Sequence, residues 1–220
     1  MAERFYFSKN IFLRLTRKSN KKLIDIMLFF LSAVKHSLPC PTLQIIYDRT
    51  ITEYEVFNNL RSQYKLYTTK LSDSTIVYKK LLATLRPKLI NIRARVVVIF
   101  PSNSIEYMSI FPFKLKPFYK GTYYQRVEEL SYLKARVALH PETIDICPRI
   151  QTIYDEMYGA RDAQTQLKVK LKTIKADIET SRIKLSKLLY GNSGLLMDKH
   201  MENPERVRDY FPAKLMRKKE

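Results

Sequence analysis

The residues best suited to binding a ligand lie between positions 114 and 126, where cations and aromatic rings alternate. They are Lys114, Lys116, Phe118, Tyr119, Lys120, Tyr123, Tyr124 and Arg126. Aromatic faces beside cations can stack the bases and neutralise the phosphates of a nucleic-acid strand. Tyr and Arg are equally favoured at protein interfaces. A third interpretation is a loop whose rings pack it onto the end of a helical bundle, and the sequence leaves all three open.

A second candidate contact region is the amino-terminal arm, residues 1–20, which joins bulky apolar side chains to positive charges. Its candidate partner-contact residues are Phe5, Phe7, Phe12, Arg14 and Arg17. Apolar and polar positions alternate weakly over residues 11–16, which is typical of a strand. Because so much apolar surface in water promotes association, we expect the arm to dock on a neighbouring subunit, as an added strand or in a groove. The alternative is a frayed terminus that makes no such contact.

Motifs that would support catalysis are missing from the sequence. It contains no G-x-x-x-x-G-K-[ST] or G-x-G-x-x-G phosphate loop, no G-x-S-x-G elbow and no H-E-x-x-H pair. The adjacent carboxylates Glu128-Glu129 and Asp155-Glu156 would project about 100° apart on a helix, so they cannot readily share a site. Cys40 and Cys147 fit no zinc spacing, and two free thiols are favoured over a disulfide. We therefore predict no enzymatic activity, no cofactor and no metal site.

Composition favours a basic helical protein. The chain has 220 residues, a net charge of +19, 45% hydrophobic residues and four glycines. That apolar content can form a core, and scarce glycine suits long helices better than tight turns. The positive charge favours an anionic partner, although a merely basic, soluble protein would show the same excess.

The stretch from Ile150 to Leu189 predicts one long helix with an apolar seam. Seam positions recur at alternating steps of three and four, with Gln164 and Ser181 as polar interruptions. The seam residues are Ile150, Ile153, Met157, Ala160, Leu167, Leu171, Ile174, Ile178, Leu185 and Leu188. At about 1.5 Å per residue, this coiled-coil-like helix would extend roughly 60 Å. The predicted fold class is therefore all-α, an elongated helical bundle.

Breakers and caps divide the rest of the chain. We predict helices over 21–38, 42–71, 73–100, 122–139 and 142–190, with short pieces at 104–110, 194–202 and 204–210. Ser72-Asp73-Ser74 separates the second helix from the third, and Gly191-Asn192-Ser193-Gly194 ends the long one. Residues 96–100 are β-branched enough for a strand, but the three/four spacing favours a helix. Thr122 and Gln125 form a capping box, and Asn203 caps a last helix.

The carboxyl-terminal third carries a resemblance. Its long helix leads into Asn192-x-Gly194-x-Leu196, followed by Pro204-x-x-Val207 and Tyr210-Phe211. With Ile110-Phe111-Pro112 and Gly121-Thr122-Tyr123, this pattern resembles uncharacterised helical proteins of Bacteroidota. The resemblance implies a helical domain after residue 40 and carries over no site.

These observations predict an arm over 1–20, a helical bundle domain over 21–211 and a basic tail over 212–220. The leading hypothesis is a non-enzymatic structural or interaction protein, a subunit or adaptor of a virion, tail, filament or secretion machine. Its partners would be other protein subunits, in a homo- or hetero-oligomer. The alternative is a nucleic-acid-binding protein that uses its dispersed basic surface and the 114–126 loop. A membrane partner is disfavoured, because the apolar run Leu23–Val34 is shorter than the roughly 20 residues of a span. We expect a cytoplasmic protein, or one within a particle assembled there.

Overall fold

A computed structural model describes residues 10–16 and 19–216, and all regular structure within them is helical. The α-helices are α1 (Ile11–Thr16), α2 (Asn20–His36), α3 (Pro41–Ile99), α4 (Ile105–Ile110), α5 (Pro117–Lys120), α6 (Tyr123–Ala138), α7 (Cys147–Lys199) and α8 (Ala213–Met216). Two 3-10 helices cover Pro141–Thr143 and Pro204–Tyr210. The predicted all-α class is confirmed.

Side-chain caps explain where several helices begin. Ser19 and Ser104 accept hydrogen bonds from the first-turn backbone of α2 and α4. Thr122 and Gln125 form the predicted capping box of α6 in both directions, at 2.8 and 3.3 Å. Asn203 precedes the last 3-10 helix, but its side chain makes no capping bond. Local sequence thus sets the start of α6 as predicted.

The predicted break at Ser72-Asp73-Ser74 is wrong, because α3 runs through it. Thr75 donates its hydroxyl proton to the Leu71 carbonyl at 2.8 Å. From α7, the Gln164 amide donates to the Thr75 hydroxyl at 3.2 Å. Thr75, directly after the predicted break, thus finds partners within its own helix and on α7, which favours a continuous helix at this point.

The second half of α3 also stays helical. It passes through Pro87, which is exposed, as is Ala83, the residue whose carbonyl loses its helical partner. Water can bind that carbonyl, so the proline is tolerated. The β-branched run that ends at Ile99 is helical rather than a strand, so the three/four spacing outweighed β propensity there.

The predicted end of the long helix at Gly191–Gly194 is wrong as well. Helix α7 continues to Lys199 and includes residues 194–199 of the separate short helix predicted over 194–202. Asn192 is buried, and its side-chain amide donates to the Thr50 hydroxyl of α3 at 2.8 Å. Because this tertiary contact needs the helix to continue, it overrides the local signal of the two glycines.

The predicted seam of α7 is confirmed. Its positions are buried or half-buried along the whole helix, and the polar interruptions Gln164 and Ser181 are buried too. A repeat with period 3.5 therefore identified the packed face of α7, although neither end of this helix was predicted correctly.

The described chain groups into two compact units. Unit 1 draws on residues 1–66 and 172–220, and unit 2 consists of residues 67–171. The sequence predicts a single bundle domain over 21–211, and nothing in its composition indicates this division. Helices α3 and α7 each contribute one part to either unit.

Unit 1 contains α1, which corrects two expectations about the arm. Residues 11–16 form a helix and not a strand. Phe12 is fully buried, with its ring centroid 5.1 Å from that of Phe211, which lies 5.2 Å from Phe30. The Asn10 side chain also donates to the Ser186 carbonyl of α7 at 3.1 Å. Phe12 is therefore a core residue of unit 1 and not available to a partner.

Unit 2 packs α4, α5 and α6 onto its parts of α3 and α7. Fully buried residues of its core include Tyr78, Leu89, Val96, Leu133 and Ile150. The connection over 101–121, predicted as mainly non-helical, contains the expected α4 and the unexpected α5. The Lys88 ammonium pairs with the Glu156 carboxylate across α3 and α7 at 2.7 Å.

Replacing Gly191 by Ala tests the continuity of α7. A Cβ atom there meets nothing within 4 Å, and no glycine of the described chain has a positive φ. Ala in an open helical position should raise the free energy of unfolding by about 0.5–1 kcal/mol, measured by urea denaturation. Gly121→Ala is the opposed control, because its Cβ would lie 3.1 Å from the Gln125 Cβ. If Gly191→Ala instead lowered the free energy of unfolding, the result would favour a helix that ends near Gly191, as the sequence predicted.

Phe12→Ala tests whether α1 belongs to unit 1. Losing a fully buried ring should lower the free energy of unfolding by about 3–5 kcal/mol. Arg14→Ala, on the exposed side of α1, should change it by less than about 0.5 kcal/mol. Equal thermal melting of the two variants would contradict the packing described here.

Candidate functional site

The 114–126 segment is a folded surface and not a loose loop. Lys114 has a φ of 54°, a left-handed conformation that is uncommon for a residue with a side chain. Its backbone N–H donates to the Phe111 carbonyl at 3.1 Å, which closes the turn after α4. Pro117 then opens α5, and Gly121 and Thr122 lead into α6. The alternating cations and rings are therefore held in a defined order.

Phe118 is the internal anchor of this segment. It is buried in the core of unit 2, and so is Leu115, three residues earlier in the sequence. As a partner-contact residue Phe118 was a wrong prediction. The third interpretation, rings that pack the segment onto the bundle, therefore holds for this ring.

Arg126 is tied to the backbone of its own segment. Its Nε donates to the Gly121 carbonyl at 2.9 Å, and its Nη2 donates to the Tyr119 carbonyl at 2.6 Å. The guanidinium carbon also lies 5.7 Å from the ring centroid of Tyr123. Arg126 thus joins the end of α5 to the start of α6, since its planar fork can bond two carbonyls at once.

Helix α3 supplies functional neighbours that the sequence did not identify. The Tyr78 hydroxyl donates to the Tyr123 carbonyl at 3.1 Å, and the two rings meet edge to face at 5.2 Å. The guanidinium carbon of Arg86 lies 5.5 Å from the ring centroid of Tyr119. Arg86 and Arg93 are seven residues apart and share a helix face, but nothing in the sequence indicates that this face meets the segment.

The electrostatics around Tyr119 reflect burial and nearby cations. Its hydroxyl is buried and has no hydrogen-bond partner among the described residues. Burial raises the pKa of Tyr119, while Arg86 and Arg93 act in the opposite direction. Arg93 donates from Nε to the Tyr107 hydroxyl at 2.5 Å. Burial likewise raises the pKa of Tyr78, so both phenols stay neutral at ordinary pH.

What remains open to solvent is a set of cations and rings. Lys114, Lys116 and Lys120 are exposed, and so are Tyr123 and Tyr124. None of the three lysines forms an ion pair with a described residue. From residue 107 to residue 127 the sequence has no Asp or Glu. The surface can therefore attract an anionic ligand without first breaking an internal ion pair.

The five contact residues predicted in the arm do not share one outcome. Phe5, Phe7 and Arg17 lie outside the residues that the structure describes, so their partner contacts stay predictions. Arg14 is exposed on α1, and Phe12 is buried, as shown above. The arm and the 114–126 segment belong to different units.

Other groups with reactive chemistry are sparse. Both cysteines are free thiols, and the Lys199 ammonium lies 2.7 Å from the Cys40 sulfur. This hydrogen bond lowers the pKa of Cys40. No group of three His, Cys, Asp or Glu that could hold a metal ion occurs in the described part of the chain. Within the same residues, no helix has the length and hydropathy of a membrane span.

Comparison with known proteins adds no relative. No family model, curated protein or solved structure matches the chain. The resemblance to helical proteins of Bacteroidota therefore stays a prediction, and function must be inferred from the surfaces themselves.

Removing single hydroxyl groups tests the organisation of this site. Tyr78→Phe loses the bond to the Tyr123 carbonyl, which should cost about 0.5–1.5 kcal/mol of unfolding free energy. Tyr119→Phe removes a buried hydroxyl without a protein partner, so stability should stay unchanged or rise. Urea denaturation of both variants measures the difference. A Tyr119→Phe variant as destabilised as Tyr78→Phe would show that the Tyr119 hydroxyl is bonded.

Proposed function

We propose that this chain is a non-enzymatic structural subunit that joins a larger assembly through an apolar end of unit 2. The supporting observation is the exposure of four aliphatic side chains. Val98, Ile105, Leu139 and Ile144 are 87, 80, 78 and 69% exposed. We call these four residues the apolar end. Single exposed aliphatic residues are ordinary, whereas a group of them marks an interaction surface.

The segments that carry the apolar end contact one another. The ring of Phe100, just after α3, lies 5.4 Å from that of His140. The Ser109 hydroxyl of α4 is 3.0 Å from Nε2 of the same histidine. Arg136 of α6 donates to the Ile110 carbonyl at 3.1 Å. The ends of α3 and α6 thus meet α4, which brings the segments that carry the four exposed side chains to the same end of unit 2.

The charge around the apolar end favours a second copy of this chain as its partner. Residues 96–113 and 137–148 contain Glu106, Glu142 and Asp145 and no Lys or Arg, although the chain has 40 such cations. An apolar, slightly acidic surface is complementary to the basic remainder of another copy.

A contact between different surfaces of two copies leaves one of those surfaces free on each copy, so it can repeat from copy to copy. It generates rings when the rotation closes and filaments when it does not. This geometry supports a repeated subunit of a particle, such as a virion, tail, filament or secretion machine. We place its assembly in the cytoplasm. The absence of recognised catalytic motifs from the sequence is compatible with such a role, but the proposal does not depend on that absence.

The double variant Ile105→Gln/Leu139→Gln tests this role. Both side chains are exposed, so the substitutions should leave folding unaffected. They should weaken assembly, because less apolar surface would be buried against the partner copy. Sedimentation velocity across protein concentrations should show a defined oligomer of the wild type that persists in high salt. The variant should sediment as a smaller species, with dissociation at least tenfold more favourable.

The matched control is Ile45→Gln/Val169→Gln, which alters exposed aliphatic residues outside the apolar end. This control should assemble like the wild type. A monomeric wild type at all concentrations, or equal loss of assembly in both double variants, would refute the proposal.

A further inference from the structure

We infer that unit 2 has a binding surface for a single-stranded nucleic acid, separate from the apolar end. It consists of four cations and two exposed rings. They are Arg86, Phe113, Lys114, Lys116, Lys120 and Tyr124, and we call them the basic-aromatic surface. The inference does not depend on the assembly role proposed above.

The cations of this surface are available to phosphates. Arg86 and the three lysines form no ion pair among the described residues. Arg86 is exposed while its guanidinium lies against the Tyr119 ring. Elsewhere in unit 2, Lys88 and Arg136 are paired with Glu156 and Glu129. Unpaired cations occur elsewhere in unit 2 as well, but the three lysines of this surface lie in residues 107–127, a stretch without any carboxylate side chain.

The rings of this surface face solvent between cations. Tyr124 is 68% exposed and Phe113 is 69% exposed. Phe113 directly precedes Lys114, and Tyr124 stands between Lys120 and Arg126 in sequence. A ring face beside a cation lets a base stack while the adjoining phosphate is neutralised. The carboxylates of an acidic protein would match the cations, but they could not stack on either ring as a base can.

The supports beneath the surface are already in place. Arg126 holds two backbone carbonyls, Phe118 is buried, and Tyr78 bonds the Tyr123 carbonyl. A strand would therefore bind a preformed surface, and little conformational entropy would be lost in ordering the protein. This preformation distinguishes the segment from a charged tail that folds only on binding.

Fluorescence anisotropy with a fluorescein-labelled oligothymidylate of about twelve nucleotides, long enough for one such surface, tests the inference on the full chain. Lys116→Gln/Lys120→Gln should weaken binding about 10- to 30-fold at 0.1 M NaCl. It should also reduce the slope of log K against log salt by about 1.4, since each contact on a single strand contributes about 0.7. Tyr124→Ala should weaken binding about 5- to 150-fold with the slope unchanged, because stacking releases no counterions.

Lys168→Gln/Lys170→Gln is the matched control, since it removes two exposed lysines of α7 in the same unit. It should alter binding less than threefold. Equal weakening of the two lysine double variants would overturn the inference in favour of dispersed charge. Unchanged affinity in Tyr124→Ala would overturn it by excluding stacking, as would absence of binding by the wild type at low salt.

Competition separates a nucleic acid from other polyanions. Unlabelled oligothymidylate should displace the probe at concentrations at least tenfold lower, per charge, than polyglutamate or phosphatidylserine vesicles. Displacement by either competitor at the same charge concentration would overturn the inference. Circular-dichroism melting of each variant should match the wild type, because the replaced side chains are exposed.

Discussion

The packing of α7 against α3 is the constraint on which the rest of the molecule depends. In each unit the apolar seam of α7 is buried, and polar pairs across the two helices fix their register. Lys184 and Asn192 bond Glu53 and Thr50 in unit 1. Slipping the helices by one turn would leave Asn192 and Thr50 buried without partners, which costs more than the bond itself contributes. The short helices and connections are arranged on this pair.

Much of this framework could be predicted from the sequence, for reasons that differ by element. The seam of α7 and the capping box of α6 depend on residue spacing within one helix, so both can be predicted from a single stretch of sequence. The breaks expected at residues 72–74 and at Gly191–Gly194 failed because partners on the opposite long helix stabilise helical backbone there. Alternation in the arm suggested a strand, yet Phe12 gains more from burial beside Phe30 and Phe211.

The candidate site was predictable only in part. Composition located the cations and rings of residues 114–126, because their density exceeds that of neighbouring sequence. It could not show that Phe118 faces the core or that Arg86 of α3 lies over Tyr119. Both facts depend on which face of one element meets another, and single-sequence periodicity does not encode that choice. The exposed end formed by Val98, Ile105, Leu139 and Ile144 was missed because its members are far apart in sequence.

Arg126 stabilises the shape of the 114–126 segment, whereas Lys116 and Lys120 supply its exposed charge, so the shape and the charge could change independently in evolution. Its guanidinium bonds the carbonyls of Tyr119 and Gly121, and a lysine could not bridge both with one planar group. In relatives of this chain, we expect an arginine at this position whether or not they bind any ligand. The two lysines Lys116 and Lys120 hold no backbone carbonyls in this way. Arginine could therefore replace either of them, or the positive charge could move to a neighbouring position. Conservation of Arg126 among relatives would therefore indicate a conserved fold, whereas conservation of the positive charge around it would indicate a conserved ligand.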